Sequence, residues 1–353
     1  MPMRIGLLTS GGDCAGLNAV MRAFGKTVCA LDKAVELYGI ADGYAGLCNG
    51  EWRKMDSEEF SGILTLGGTI LGTSRLPYKK LITSETDKID AMKANYKKLG
   101  LDALIILGGN GTHKTAALLS KEGLNVIGLP KTIDNDIWGT DVTFGFYSAV
   151  DVATECIDRL ATTAASHRRT MIVEIMGNKS GWLTLYAGVA AGADVILIPE
   201  IPYDADKVAE AVKRRFDKKK AFCIVAAAEG AMDKREAQLD KKERERLRAQ
   251  NGNASARIAA VLSERLQNET RVVVPGHIQR GGSPSPLDRV LCTDMGVYAA
   301  RLAHDGKFGV TVAMSGGVLT ANKLADIAGK TKFVSAEHEL VRAAKSIGVS
   351  FGD

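Results

Sequence analysis

The sequence predicts an α/β fold: two doubly wound lobes of mainly parallel sheet with helices on both faces. Three observations carry that reading. Short apolar segments alternate with helical lengths of chain along the sequence, the pattern of βαβ units and parallel sheets. Glycine turns stand at the carboxyl ends of several of these segments, where open α/β folds bind ligands. A chain of 353 residues, 46% of them hydrophobic, can bury a large core and suggests two lobes rather than one.

Residues 4–10 read as a buried parallel strand, which Gly11-Gly12-Asp13 turns into a helix over about 16–31. Residues 35–45 predict the next strand, and a polar helix leads from it to the loop Gly67-Gly68-Thr69-Ile70-Leu71-Gly72-Thr73-Ser74-Arg75. An arginine closing such a loop can fork onto two phosphate oxygens, although Arg75 taken alone reads as a surface residue.

Residues 101–136 form the centre of the chain: an apolar strand, the turn Gly108-Gly109-Asn110-Gly111-Thr112, a helix, a second strand and then Lys131-Thr132-Ile133-Asp134-Asn135-Asp136. The crossover hand of a βαβ unit makes the two strands parallel, so both polar clusters lie at one sheet edge. Glycines 108, 109 and 111 let the backbone approach closely, and the following helix adds the positive end of its dipole. That suits a phosphate. Lys131 supplies a cation, while Asp134 and Asp136 suit metal or proton chemistry beside it.

The alternation continues with a helix near 145–163, a strand at 169–176, a helix near 182–191 and a strand at 194–199. A helix over 205–218, a strand at 221–229 and a charged helical stretch over 234–250 come next. In that stretch Lys241-Lys242-Glu243-Arg244-Glu245-Arg246 mixes signs at helical spacing, as a solvated face does. A strand at 271–274, a loop at 275–286, a helix near 288–303 and a strand at 310–314 complete the series, without internal repeats. His167 with Arg168 and Arg169, and His277 with Arg280, sit in polar turns flanking strands, and Glu229 ends a strand between them. Arginine and histidine are natural ligands for a sugar phosphate, with Glu accepting from a hydroxyl; the plainer reading has the histidines satisfying their loops.

A net charge of +5 is too small and dispersed to indicate nucleic acid, and favours small anions. The six cysteines, at 14, 29, 48, 156, 223 and 292, form no CxxC pair and have no zinc spacing, as expected of reduced core residues in a cytoplasmic protein. Neither a signal peptide nor an apolar run near the ~20 residues of a membrane span is evident, so no membrane partner is expected.

The motifs TSGGD at 9–13, GGTILGTSR at 67–75, GGNGT at 108–112, PKTIDND at 130–136, SHRR at 166–169, MG at 176–177 and GHIQRGGSPSPLDR at 276–289 resemble those of the phosphofructokinase family, in the same order and rough spacing. The resemblance covers nearly the whole chain, and TIDND together with GHIQRGG is its most specific part. It implies a phosphofructokinase-like fold with residues 1–145 and 279–332 as the phosphoryl-donor (ATP) lobe and 146–278 with 333–353 as the fructose 6-phosphate lobe. It further implies transfer of the γ-phosphoryl of ATP to the 1-hydroxyl of fructose 6-phosphate, giving fructose 1,6-bisphosphate, with Mg2+ as cofactor. Asp134 matches the catalytic base and Thr132 a residue positioning sugar and transferring phosphate, with Lys131 in the same catalytic set. Arg75 matches the arginine bridging donor phosphates, and Gly12 a backbone contact beside them, with Gly108, Gly109, Asn110, Gly111 and Thr112 completing the donor cradle. Arg169, Arg271, His277 and Arg280 match ligands of the sugar phosphate. Met176 and Glu229 match contacts to the sugar, to which Gly177 and Asp136 are added. Because Arg169 and Arg271 serve a neighbouring subunit in the family, the resemblance implies a homo-oligomer with shared sugar-phosphate sites.

Departures from the family pattern define the alternatives. Asn110 stands where an aspartate serves the magnesium site, keeping a carbonyl oxygen for the metal but no charge. Asn178, followed by Lys179, stands where arginine is frequent. Pyrophosphate-using members carry Asp at the position of Gly111 and Lys at that of Lys131. Gly111 leaves room for the α-phosphate of ATP, Lys131 points the other way, and the mixed signature occurs in ATP-using branches. The favoured reading is an ATP-dependent enzyme; the alternatives are a pyrophosphate-dependent phosphotransferase and a catalytically impaired regulatory or binding subunit. A nicotinamide-binding dehydrogenase lacks a clean GxGxxG after the first strand. Arg22 and Lys26 match two cations of the bacterial effector site, whereas Ala161 replaces an expected arginine, implying weak or absent control by ADP and phosphoenolpyruvate-type effectors.

Overall fold

The computed structural model describes residues 2–82, 88–217, 222–266 and 268–353. In chain order its strands are β1 (Arg4–Ser10), β2 (Glu36–Ile40), β3 (Trp52–Met55), β4 (Ala103–Gly108), β5 (Val126–Pro130), β6 (Thr170–Ile175), β7 (Val195–Leu197), β8 (Cys223–Ala228), β9 (Thr270–Val273), β10 (Val310–Ser315) and β11 (Val318–Lys323). The chain divides into two compact units, residues 1–148 with 280–332 and residues 149–279 with 333–353.

The first unit holds a seven-stranded sheet in the order β11-β10-β5-β4-β1-β2-β3. Its five central strands run parallel, and an antiparallel strand closes each edge. β4 and β5 are buried throughout, so both read as continuous apolar runs rather than alternating ones. The helices Leu17–Leu31 and Pro286–His304 pack along each other, the second begun by Ser285, whose side chain accepts from the Asp288 N–H. Asp288 is itself buried, accepting from the N–H groups of Gly145 and Ser148 and from the Ser148 hydroxyl. The second unit holds a four-stranded, wholly parallel sheet, β7-β8-β6-β9. Its core gathers Ile172, Val195, Leu197, Val225, Ile258 and Leu262. None of the described helices is long and apolar enough to cross a membrane.

Several expectations need correction. Residues 35–45 are not one strand: Asp42 and Gly43, both with positive φ, end β2 and open the helix Tyr44–Asn49. The polar helix expected before the 67–75 loop is replaced by that short helix, β3 and a 3-10 turn, Ser57–Phe60. The stretch 234–250 is broken after a 3-10 turn, because Asp240 and Glu243 form a capping box that starts a fresh helix, Lys241–Asn251, with no buried residue. Ser166 and His167 lie in the last turn of the helix Phe146–His167 rather than in a loop. Lys218 and Ala221, the ends of a predicted helix and strand, lie outside the described residues.

Candidate active site

β1, β4 and β5 end at one level, since Ser10 pairs with Gly108 and Gly108 with Pro130. The segments that follow therefore emerge side by side at the carboxyl edge of the first unit's sheet. A cavity there is lined by Gly12, Arg75, Gly109, Asn110, Gly111, Thr112, Lys131, Thr132, Asp134, Asp136 and Arg280. Gly108 is the last residue of β4, immediately before it.

Three cations meet at the first glycine turn. Lys131 is buried and its Nζ donates to the carbonyl of Gly12. Burial pulls its ammonium below the usual lysine range; Arg280 adds to that, while Cys14, Asp13 and Asp134 oppose it. A Cβ on Gly12 would lie 3.0 Å from the Arg280 guanidinium and 3.3 Å from Arg75 Nη2, so glycine is what lets both guanidinia close on the turn. Arg280 Nη1 donates to the Asp13 carbonyl at 3.1 Å, while its buried Nε has no partner among the described residues. A half-buried guanidinium with an unsatisfied Nε, beside a second one, suits an anion. The loop carrying Arg75 is held by Asn18, which donates to the carbonyls of Leu66 and Gly67 and accepts from the Ile70 N–H, and by Thr73, which donates to the Gly11 carbonyl.

At the second turn the helix Asn110–Lys121 starts on Gly109 without a side-chain cap, leaving its first N–H groups for an anion. A Cβ on Gly111 would meet nothing within 4 Å, so the space beside this turn is open. His113, one turn in, fixes the turn from behind. Its Nδ1 lies 3.0 Å from the Gly109 carbonyl, which can only accept; Nδ1 therefore carries the proton, and Nε2 accepts from the Thr311 hydroxyl at 2.9 Å. Burial pushes this imidazole down to about 4.

Asp134 closes the cavity. Its N–H donates to Thr132 Oγ1 at 3.0 Å, and Thr143 Oγ1 donates to the Thr132 carbonyl at 2.7 Å. Part of its surface faces the cavity, yet the protein packed around it raises its carboxyl above the ordinary range, against the pull of Arg280, Lys131 and Arg75. A carboxylate so tuned is a better proton acceptor than a solvated one. Asn110 Nδ2 donates to Asp136 Oδ2 at 2.8 Å and to its carbonyl at 3.2 Å. Both partners are acceptors, so the amide nitrogen faces Asp136 and the amide oxygen is left for a donor or a cation. No group of three His, Cys, Asp or Glu that could hold a metal occurs among the described residues.

The other sequence candidates belong to the second unit. Met176 follows β6 and its N–H donates to Gln279 Oε1, while Gln279 Nε2 donates to the Gly276 carbonyl, tying Met176 to the 3-10 turn Gly276–Arg280 that carries an exposed His277. Gly177, at φ 133, accepts from the Gly230 N–H, and Glu229 follows β8. Arg169 and Arg271 are both paired with Glu269. Arg169 chiefly, then Arg271 and His167, holds that carboxyl below its usual range. Asn178 and Lys179 line a separate cavity with Lys241 and Arg244.

Asn18, His113, Glu269 and Lys332 escaped the sequence reading. A buried Asn in an amphipathic helix and a His one turn after GGNG were available signals for the first two; nothing local marked the others. Lys332 donates to the carbonyls of Thr140 and Asp141, and burial draws its ammonium down to about 8, against Asp141 and Asp136.

The phosphofructokinase family model matches residues 4–303. The chain is 51% identical to the ATP-dependent 6-phosphofructokinase of Spirochaeta thermophila, covering 99% of this chain and 97% of that protein. It is 44% identical to the ATP-dependent 6-phosphofructokinase 3 of Bacteroides thetaiotaomicron over 99% of this chain and 100% of that one. Among solved structures, Pichia pastoris phosphofructokinase in the T-state superposes with a TM-score of 0.81 at 31% identity, covering 99% of this chain and 37% of that one. A pyrophosphate-dependent phosphofructokinase from Nitrosospira multiformis, at 20% identity, shares the fold with a TM-score of 0.83 over 99% of this chain and 92% of its own. With a family model spanning most of its length and relatives alike from end to end, the chain belongs to the phosphofructokinase family.

Proposed function

We infer that the chain is an ATP-dependent 6-phosphofructokinase, transferring the γ-phosphoryl of ATP to the 1-hydroxyl of fructose 6-phosphate. The observation that carries this is the convergence of Lys131, Arg75 and Arg280 on the glycine turns around one carboxylate of raised pKa, Asp134. Phosphoryl transfer is largely positioning and charge neutralisation, which such an assembly supplies. In the reaction Asp134 takes the proton of the 1-hydroxyl as its oxygen bonds to the γ-phosphorus, and the bond to ADP breaks. Lys131, Arg75 and Arg280 offset the charge on the phosphate oxygens, and Thr132 orients the loop that presents Asp134.

Magnesium binds through one or two carboxylates plus substrate phosphates, and Asp136 with the amide oxygen of Asn110 fits that sparse requirement. Its contribution is to neutralise donor phosphate charge. The first unit takes the nucleotide. The acceptor's phosphate is read by Arg169, Arg271 and His277, with Met176, Gly177 and Glu229 on the sugar, in an assembly in which the two arginines serve a neighbouring copy.

Gly111 favours ATP over pyrophosphate, since the space a side chain would take there is open, while Lys131 is already engaged with the Gly12 carbonyl. Turnover of fructose 6-phosphate with ATP or with pyrophosphate tests the reading. Activity with ATP supports it; activity with pyrophosphate alone reverses the ranking of Gly111 over Lys131. Sugar-phosphate binding without turnover on either donor would make the chain an impaired binding subunit.

A further inference from the structure

The loop from Asp136 to Asp141 directly follows the catalytic carboxylate, and one distant residue closes it at both ends. The backbone N–H of Lys332 donates to the Asp136 carbonyl at 2.8 Å, and the adjoining Thr331 bridges to Ile137. Lys332 Nζ reaches the other end, donating to the carbonyls of Thr140 at 2.8 Å and Asp141 at 2.9 Å. The Asp141 carbonyl also accepts from Asn135 Nδ2 at 3.3 Å, while Asn135 Oδ1 accepts from the Thr143 N–H at 3.0 Å. Asn135 lies between the two carboxylates at φ 49, a left-handed conformation that costs free energy unless its surroundings enforce it. Its side-chain bonds enforce it, and one of them ends on the carbonyl that Lys332 holds.

We propose that Lys332 is a positioning residue for phosphoryl transfer: its ammonium locks the Asp136–Asp141 loop and, through Asn135, fixes where Asp134 and Asp136 are presented. The catalytic part of this rests on the phosphofructokinase reading; the clamp itself does not. Two carbonyls lose their charged donor when the ammonium is removed, whereas the backbone bond to Asp136 stays, so a side-chain variant loosens the loop without deleting its attachment.

The test compares wild type, Lys332→Met and Lys332→Arg. In Lys332→Met, kcat falls about 10- to 100-fold, the range expected when a reacting group is displaced by an ångström or so, while KM for ATP and for fructose 6-phosphate stays within about threefold. Lys332→Arg, which keeps the charge and the donors, recovers much of the loss. Hydrogen exchange over residues 134–141 in the unliganded proteins gives a readout independent of turnover, rising in Lys332→Met and returning toward wild type in Lys332→Arg. Unchanged exchange, an unchanged kcat, a loss that merely follows the folded fraction, or an arginine variant no better than methionine each overturns the proposal. A wild type without activity whose loop still loosens in Lys332→Met would sink the functional reading and leave the clamp standing.

Discussion

The two units hold their arginines and lysine differently. In the first, Lys131 is buried on the Gly12 carbonyl, and Arg280, half-buried, is held through the Asp13 carbonyl while its buried Nε has no partner among the described residues, so neither is neutralised by a carboxylate ion pair there. In the second, Arg169 and Arg271 share the carboxylate of Glu269 at a surface where the Arg271 side chain is 55% exposed. A buried ammonium such as that of Lys131 is preorganised and costs stability while it waits; an ion pair at the surface is satisfied at rest and must be opened. On the proposed function, the first arrangement belongs to the donor phosphates and the second to the sugar phosphate.

The largest effect expected is at Asp134. Asp134→Asn should lower kcat about 10²- to 10⁴-fold, as loss of a general base does, with fructose 6-phosphate binding retained. Burial raises the Asp134 pKa in the folded chain, so the fold binds a proton more tightly there than the unfolded chain does. Stability at this site is therefore fullest below the unfolded value and falls as pH rises through the folded one. At neutral pH the ionised carboxylate is a liability, and Asp134→Asn should melt higher than wild type. A variant that is both less stable and still active would remove Asp134 from the centre of the first unit's site.

Arg280 sharpens the comparison. The family resemblance gives it to the sugar phosphate, yet it lines the first unit's cavity against Gly12 and Arg75. Arg280→Ala should cost about a hundredfold in kcat/KM. A rise in KM for ATP with little change for fructose 6-phosphate places it with the donor; the opposite split restores the resemblance's assignment.

His113 supports the preorganised turn through its neutral form. Its pKa is lowered from 6.5 to about 4, so the unfolded chain takes up a proton first as the pH falls. Stability is then lost between pH 6.5 and about 4, by about 3 kcal/mol at the far end of that window. Urea unfolding across this range should show that dependence in wild type, and less of it in His113→Gln. Equal slopes in both proteins would mean that His113 titrates freely in the fold.

Much of the first unit was legible because its site is made of turns. Glycine marks where backbone must approach a ligand, and each turn ends a continuous apolar run, so type and position coincide in the sequence at Gly12, Gly108 and Lys131. The edge strands β3 and β11 were not legible, being half-exposed with no continuous apolar run. Nor were the supporting residues. Lys332 satisfies a carbonyl 192 residues away, and Glu269 neutralises an arginine 100 residues away, so only the folded chain shows what either is for.

The smallest effect separates the second unit from the first. If Glu269 holds Arg169 and Arg271 in reserve, it competes with the sugar phosphate for both, and Glu269→Gln removes the competitor while leaving a group of the same shape. Because such surface pairs are weak, KM for fructose 6-phosphate should fall by only about threefold, with kcat and the ATP KM unchanged. Raised ionic strength should mimic the substitution in part on wild type, by screening the pair, while also weakening the phosphate contact. A KM that rises instead would mean that Glu269 aims the arginines at the substrate, and the second unit would then preorganise its cations with an exposed carboxylate as the first holds Lys131 by burial.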